Sequence, residues 1–256
     1  MNTITTDMPE PGTLLRSYGL EAKYEFLRAL RTPMFAVPTL LFPALFYVLF
    51  GIVLSGSRGG VAAAQYLLAT YGVFGVIGAS LFGFGVSVAI ERENGYLELK
   101  RALPMPPGAY LLAKMAMAVL FSAIISVMLA VLAAGLAKVS LAPWQWLALF
   151  LVNLTGALPF CAIGLYVGSL VGGSGAPAVV NLLHLPMAFL SGLWMPLHLL
   201  SPIFAKLAPL WPAWHLGQLA LKVVGRDSGA SAAMHVAVLL GLTVVFFLLA
   251  RRRLSR

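Results

Sequence analysis

Acidic side chains are scarce in this sequence. Eight Asp and Glu stand against seventeen Lys and Arg, and only 10% of the 256 residues are charged. An ordinary soluble domain is about a quarter charged, so this chain has too little charge to solvate a whole surface. No carboxylate falls inside an apolar run: Asp7, Glu10, Glu21 and Glu25 precede the first run, Glu91, Glu93 and Glu98 share one internal patch, and Asp227 precedes the last. Proton- and sodium-coupled carriers usually hold an ionisable group at midplane. The gap argues against a self-powered carrier, although backbone carbonyls can bind Na⁺ and that alternative stays open.

Other absences narrow the chemistry. The single Cys161 lies in an apolar run and excludes a disulfide framework or a clustered thiol metal site. His184, His198, His215 and His235 show no H-E-x-x-H pattern or other close metal-ligand spacing. There is no G-x-S-x-G elbow. No G-x-x-x-x-G-K-[ST] loop occurs, and "GGSGAP" lacks the Lys that would reach a nucleotide phosphate. Neither a resident metal nor a cofactor is expected, nor ATP hydrolysis by this chain alone. A polytopic membrane enzyme using His184 or His235 is the competing class. No apolar h-region opens the chain, where Asp7, Pro9, Glu10 and Pro11 stand, so no signal peptide is expected.

What is there is apolar: 61% of residues are hydrophobic. A bilayer core takes roughly 20 apolar residues in a helix, and six stretches qualify: 34–56, 65–90, 109–137, 143–170, 176–195 and 230–250. With no hydrophilic block long enough for a second domain, residues 1–256 read as one all-α integral membrane domain. The net charge of +9 suits basic loops against anionic lipid better than nucleic acid.

Lys and Arg set the orientation. With six spans, twelve of them (Arg16, Lys23, Arg28, Arg31, Arg92, Lys100, Arg101, Lys114, Arg251, Arg252, Arg253 and Arg256) fall on the side of both termini. Five (Arg58, Lys138, Lys206, Lys222 and Arg226) fall on the other. Both termini and the internal patch are therefore expected in the cytoplasm.

Two segments flank this plan. In 12–31, Leu15, Tyr18, Ala22, Phe26, Ala29 and Leu30 recur at three- and four-residue intervals, with Glu21, Lys23, Glu25, Arg28 and Arg31 off that face. This predicts an amphipathic helix, either in the membrane interface or packed on other protein, ended by Pro33. In 197–220, Pro202, Pro209 and Pro212 cut an apolar run into pieces too short to span. Broken backbone at membrane depth must be buried in protein or line water, so short re-entrant helices in the outer leaflet are expected, with Trp194, Trp211 and Trp214 at interfacial level; a seventh span is the alternative. Within the spans, Gly75, Ala79 and Gly83, and Gly164, Gly168 and Gly172, have the four-residue spacing that lets helices approach closely.

The internal patch reads "ERENGYLELKRALPMPPGAYLLAK" from Glu91 to Lys114. Pro104, Pro106 and Pro107 limit a helix to about Gly95–Leu103, on which Tyr96, Leu99 and Leu103 share one face. That apolar edge fits a groove on a soluble partner; an ordinary positive-inside loop is the alternative.

The same residues resemble the cytoplasmic loop of ABC-2-type permeases, which reads E-R-E-x-G-[ST]-L-E, then a short run to Pro, then Y-L-L-x-K. Glu91, Arg92, Glu93, Gly95, Leu97, Glu98, Pro104, Tyr110, Leu111, Leu112 and Lys114 match, and Tyr96 departs from the usual small hydroxyl residue. A second stretch after the fifth span is similar to the family's proline pattern at Gly192, Pro196, Pro202, Pro209 and Pro212. The order of elements along nearly the whole chain agrees.

The resemblance implies a half-transporter in a bacterial cytoplasmic membrane, not catalytic by itself. A second copy of the chain and two ABC ATPase subunits would complete it, with ATP and Mg on the ATPase. Gly95–Leu103 would be a coupling helix, with Glu91, Glu93, Gly95, Tyr96, Leu97, Glu98, Leu99, Leu103 and Pro104 as the coupling residues. The 12–31 helix (Leu15, Tyr18, Phe26, Arg28, Arg31) would be a second ATPase contact. The 197–220 segment, with Gly192, Pro196, Pro202, Pro209 and Pro212, would cap the path outside. Tyr66, Tyr71, Phe74, Asn181 and His184 would line that path and favour export of a hydrophobic or amphipathic cargo (drug, lipid or peptide-like); ordinary helix packing competes for each.

Overall fold

The computed structural model describes residues 11–54, 60–102 and 109–254, and every regular element among them is helical. Helix α1 (Pro11–Leu30) is followed by α2 (Pro33–Phe46), which continues as a π-helical stretch Tyr47–Leu54. Helix α3 (Gly60–Ser80) passes through a second π-helical stretch, Leu81–Val86, into α4 (Ser87–Glu93), and a short α5 (Tyr96–Ala102) follows. Then come α6 (Ala109–Gly135), α7 (Pro143–Leu170), α8 (Ala176–Leu190), α9 (Pro202–Leu207), α10 (Pro212–Val223) and α11 (Ala232–Leu254).

Proline and glycine set these boundaries. Pro33, Pro143, Pro202 and Pro212 each occupy the first position of a helix, where a missing N–H costs nothing. Helix α8 ends in a Schellman cap: the Leu193 amide donates to Ala188 O at 3.0 Å, the Gly192 amide donates to Phe189 O at 3.1 Å, and Gly192 takes φ +75°. A side chain at Gly192 would also meet Leu197 Cγ at 2.7 Å.

Five helical units are long and apolar enough to cross a membrane: Pro33–Leu54, Gly60–Glu93, Tyr110–Gly135, Pro143–Leu170 and Ala232–Leu254. The sequence predicts six. The expected fifth span, 176–195, corresponds to α8, whose 15 residues extend only about 22 Å against a hydrocarbon core of roughly 30 Å. The second span is longer than the 65–90 expected, because helix continues unbroken to Glu93. The segment after α8 is broken as its prolines predict, into a 3₁₀ turn at Leu197–Leu199, α9, another 3₁₀ turn at Ala208–Leu210, and α10. The chain is a multi-pass membrane protein.

The long unit Gly60–Glu93 is the centre of the bundle, with 72% of its apolar window buried, against 11% for Ala232–Leu254. In lipid, water does not drive helices together, so close packing and hydrogen bonds must. The tightest crossing joins the π-helical stretch to α7. A Cβ on Gly168 would lie 2.4 Å from Gly85 O, and one on Gly164 would lie 3.1 Å from Gly85 N. Of the three glycines predicted to let helices approach, Gly164 and Gly168 are thus used against Gly85, whereas Gly172 lies beyond the end of α7, next to Glu93 Oε2. Phe121 of α6 takes Phe26 of α1 edge-on at 5.6 Å and Phe35 of α2 at 5.2 Å.

Gly168→Ala is expected to destabilise the fold by about 1–3 kcal/mol, since backbone would have to shift. Gly241→Ala, where a Cβ meets nothing within 4 Å, should be neutral or better. Thermal unfolding of the two variants in detergent measures the difference.

Candidate functional site

One end of the bundle gathers the termini of α1, α4, α6, α7, α8 and α11 around the E-R-E sequence. The continuous helix carries Glu91, Arg92 and Glu93 past the last turns of α7, and each side chain engages a different neighbour.

Glu91 points inward and is fully buried. Its Oε1 accepts from Arg28 Nη1 of α1 at 2.5 Å and from Lys114 Nζ of α6 at 3.1 Å, while its Oε2 accepts from the Tyr110 hydroxyl at 2.6 Å. Lys114 is equally buried. Its ammonium donates to Glu25 Oε1 at 2.5 Å and Ser87 Oγ at 2.9 Å as well as to Glu91, which uses all three of its protons. The Tyr110 ring lies 5.0 Å from the same nitrogen. Three buried charges, Glu25, Glu91 and Lys114, therefore meet here, and the more exposed Arg28 closes the quartet so that two acids and two bases cancel. Burial of such ions costs several kcal/mol each unless pairing is complete, and here each has its counter-ion. Partial burial opposes the charge on Arg28, but Glu91 and Glu25 more than offset this and raise its pKa above the ordinary value.

Arg92 turns the other way. Its guanidinium donates to Ser169 O and, at 2.8 Å, to Val171 O, while Arg253 Nε of α11 donates to Ser169 O at 3.1 Å. Two cations thus satisfy carbonyls left open at the C-terminal end of α7. Glu93 accepts from the Gly173 amide in the turn that leads into α8. A Cβ on Gly173 would lie 2.8 Å from Ile90 Cα, so the uncharged "VGGSGA" turn is small because helix α4 presses on it.

Beyond this anchor, Gly95 at φ +72° ends α4 as its αL cap, its amide donating to Arg92 O at 3.2 Å. The chain turns there into α5, matching the helix expected at Gly95–Leu103 but running Tyr96–Ala102. Tyr96 and Leu99 are 48% and 61% exposed, Glu98 is exposed, and Leu97 is half-buried. Leu103 and Pro104 lie outside the described residues.

The α1 helix shows why pattern alone misplaces charge. Tyr18, Ala22, Phe26 and Ala29 are partly buried, as the periodicity predicts, and Arg31 is exposed. Glu25, expected off that face, is buried on it, and Leu30, expected on it, is 42% exposed. Lys114 supplies the reason: its ammonium gives the Glu25 carboxylate a partner inside the packed face. Leu15 lies within α1.

At the other end, Tyr66 donates its hydroxyl proton to Gly192 O at 2.7 Å and Tyr71 to Trp194 O at 3.2 Å. Phe74 stacks on His184 with centroids 4.7 Å apart and planes 16° off parallel. Tyr71, Phe74 and His184 are buried, Tyr66 is half-buried, and Asn181 is exposed on α8. Tyr66, Tyr71, Phe74 and His184 thus join α3 to α8 and the turn after it, and Asn181 takes no part. Pro196, Pro202, Pro209 and Pro212 delimit the short helices beyond. Spacing also missed a contact there: His215 Nδ1 and His235 Nδ1, twenty positions apart, lie 3.0 Å from each other. Pro209 O accepts from His215 Nε2 at 3.0 Å, which leaves Nδ1 of His215 to accept from His235. Among the described residues no group of three metal-ligating side chains forms.

Residues 18–224 match the ABC-2 type transporter family, so the chain belongs to that family of membrane permeases. Over 229 residues it is 28% identical to the protein named "Putative transport permease YvfS" from Bacillus subtilis (strain 168), covering 89% of this chain and 92% of that protein.

Lys114→Met removes the cation shared by Glu25 and Glu91 and should cost about 3–5 kcal/mol, loosening α1 from α6. Amide exchange across α1 should rise in that variant more than in Glu98→Gln, whose side chain is exposed; equal exchange would deny the quartet its role.

Proposed function

We propose that the chain is the permease subunit of an ATP-driven exporter, in which α5 seats in a cleft of a separate ABC ATPase. The observation carrying this reading is a helix that offers Tyr96 and Leu99 to solvent while its root is tied to the bundle. An exposed apolar edge on an isolated loop would only cost solvation; on a rigidly rooted lever it is a docking surface. A push on α5 reaches α1 and α6 through Glu91, α7 and α11 through the carbonyls held by Arg92 and Arg253, and the start of α8 through Glu93.

An external motor suits the rest of the chain. The buried carboxylates Glu25 and Glu91 are each held by a cation, so neither is free for a coupling ion. ATP and Mg would reside on the partner, and two permease chains with two ATPases would form the transporter in a bacterial cytoplasmic membrane. The Lys and Arg distribution favours both termini in the cytoplasm. Nucleotide closure shifts a two-state bundle only through its different affinity for the two states, and α5 is where that difference would act. Asn181 already faces outward from α8, whereas Tyr66, Tyr71, Phe74 and His184 would reach a cargo only as α3 and α8 part. The aromatic character of that set favours a hydrophobic or amphipathic cargo, with the prolines of 197–220 shaping its outer cap.

Leu99→Asp is expected to abolish co-purification of the ABC ATPase with a tagged chain and to reduce transport at least tenfold, with the variant still inserted and folded. A chain that never retains such an ATPase, or transport unchanged by Leu99→Asp and Tyr96→Asp together, would overturn the reading.

A further inference from the structure

The long unit Gly60–Glu93 crosses the bundle as one helix but not in one register. Its π-helical stretch Leu81–Val86 separates two halves with different surroundings. Before it, Phe74 stacks on His184 of α8. Within it, Phe82 lies edge-on to the same imidazole at 6.1 Å. After it, Glu91 enters the ion quartet. A π turn holds one residue more than an α turn, is rare, and is found frequently at functional sites. This one is packed from three directions. A Cβ on Gly83 would lie 2.9 Å from Met117 Cε of α6, and one on Gly85 would lie 3.2 Å from Gly164 O of α7 and from Val180 Cγ2 of α8. The two glycines let those neighbours close in, and they also weaken the stretch's own preference for the α form.

One carbonyl of the stretch is answered by a side chain. Ser87, the first residue of α4, gives its own amide to Phe84 O. Its hydroxyl donates to Gly83 O, with Phe84 O farther off at 3.5 Å. In a regular α-helix the Ser87 amide itself would meet Gly83 O. Gly83 is buried, so its carbonyl needs a partner from within the protein. The Ser87 oxygen in turn accepts from Lys114 Nζ at 2.9 Å. A hydroxyl has one proton to give. An ammonium on the oxygen leaves that proton directed at Gly83 O and makes it a stronger donor. Lys114 is itself held by Glu25 and Glu91. An unbroken series of bonds thus runs from the quartet through Lys114 and Ser87 into the backbone of the π stretch.

We propose that Ser87 is a positioning residue for transport, because it makes the register of Leu81–Val86 depend on the quartet. With Lys114 seated, the hydroxyl holds Gly83 O and the stretch stays π-helical. When α4 is displaced and Glu91 draws Lys114 away from Ser87, the hydroxyl lets go, Gly83 O takes the Ser87 amide, and the stretch tightens to an α turn. Taking one residue out of a turn rotates the two halves of the unit against each other by up to about 100°. Movement at the α5 end is thereby carried to Phe82, Phe74 and His184. The dependence of Gly83 on Lys114 stands without a partner; its use in transport rests on the ATPase reading above.

The sequence supplies its own probe, since Gly83–Phe84 is its single Gly-Phe step. The full chain, with glycine isotope-labelled at the carbonyl carbon and phenylalanine at nitrogen, gives one carbonyl–amide correlation by solid-state NMR in phosphatidylcholine liposomes, and its carbon is that of Gly83. Ser87→Ala should move this peak, and Ser87→Thr, which keeps the hydroxyl, should leave it in place. Lys114→Met should move the peak to the Ser87→Ala position, and the two substitutions together should move it no further. Glu25→Gln, which loosens Lys114 at lower cost to the fold, should move it part of the way in the unaltered chain and not at all in Ser87→Ala. A peak indifferent to Ser87→Ala, or displacements that add in the double variants, would overturn the proposal. In the complex with a co-purified ABC ATPase, Mg, ATP and vanadate should move the peak of the unaltered chain towards the Lys114→Met position. A peak that stays put with the ATPase retained denies Ser87 its part in transport. A chain that retains no ATPase sinks the ATPase reading instead, and the spectra of the chain alone still decide whether Gly83 answers to Lys114.

Discussion

The ion quartet of Glu25, Arg28, Glu91 and Lys114 is the constraint on which the rest of this end depends. A membrane bundle has little hydrophobic drive to hold its helices in one register. Charges that must not meet hydrocarbon supply a stronger rule, since each has to find its partner or forfeit several kcal/mol. Lys114 can be buried at the root of α6 only where Glu25 and Glu91 are both present, and this sets the place of α1 against α6 and of α4 against both. The same rule turns an amphipathic helix from a passive float on the membrane into a clamped part of the bundle.

From that fixed point the three consecutive residues of E-R-E read as three attachments. A helix turns about 100° per residue, so neighbours in sequence face different directions. Glu91 finds the quartet, Arg92 the carbonyls at the end of α7, and Glu93 the amide before α8. Gly95 then lets the chain leave sharply in the left-handed region. The result is a short helix that exposes Tyr96 and Leu99 and is rooted at its base. The far end is held differently, by two tyrosine hydroxyls on backbone carbonyls and a Phe74–His184 stack. Such neutral contacts are weaker than the quartet.

Periodicity and composition succeed where the cause is local. The apolar runs predict the membrane helices because backbone groups in hydrocarbon must be satisfied within their own segment. Pro33, Pro143, Pro202 and Pro212 mark helix starts, and Gly95 and Gly192 mark ends, since each acts through its own dihedral angles. The same reasoning reads 176–195 as a span, whereas the helix closes at Leu190: an apolar run does not reveal that Gly192 and Ser191 cap it early. It also places Glu25 on the outer face of α1, because a carboxylate looks solvent-bound until its counter-charge is known.

The sequence by itself determined a basic, helical membrane chain with a short charged patch, a family pattern within that patch, and a proline-broken segment before the last helix. Those properties follow from residue type and near-neighbour spacing. Only the tertiary structure decided that Lys114 meets Glu25 from 89 positions away and that Arg28 meets Glu91 from 63. It alone put His215 against His235. Pairings of this kind depend on which helix faces lie together, and that is settled by the packing of all the helices at once.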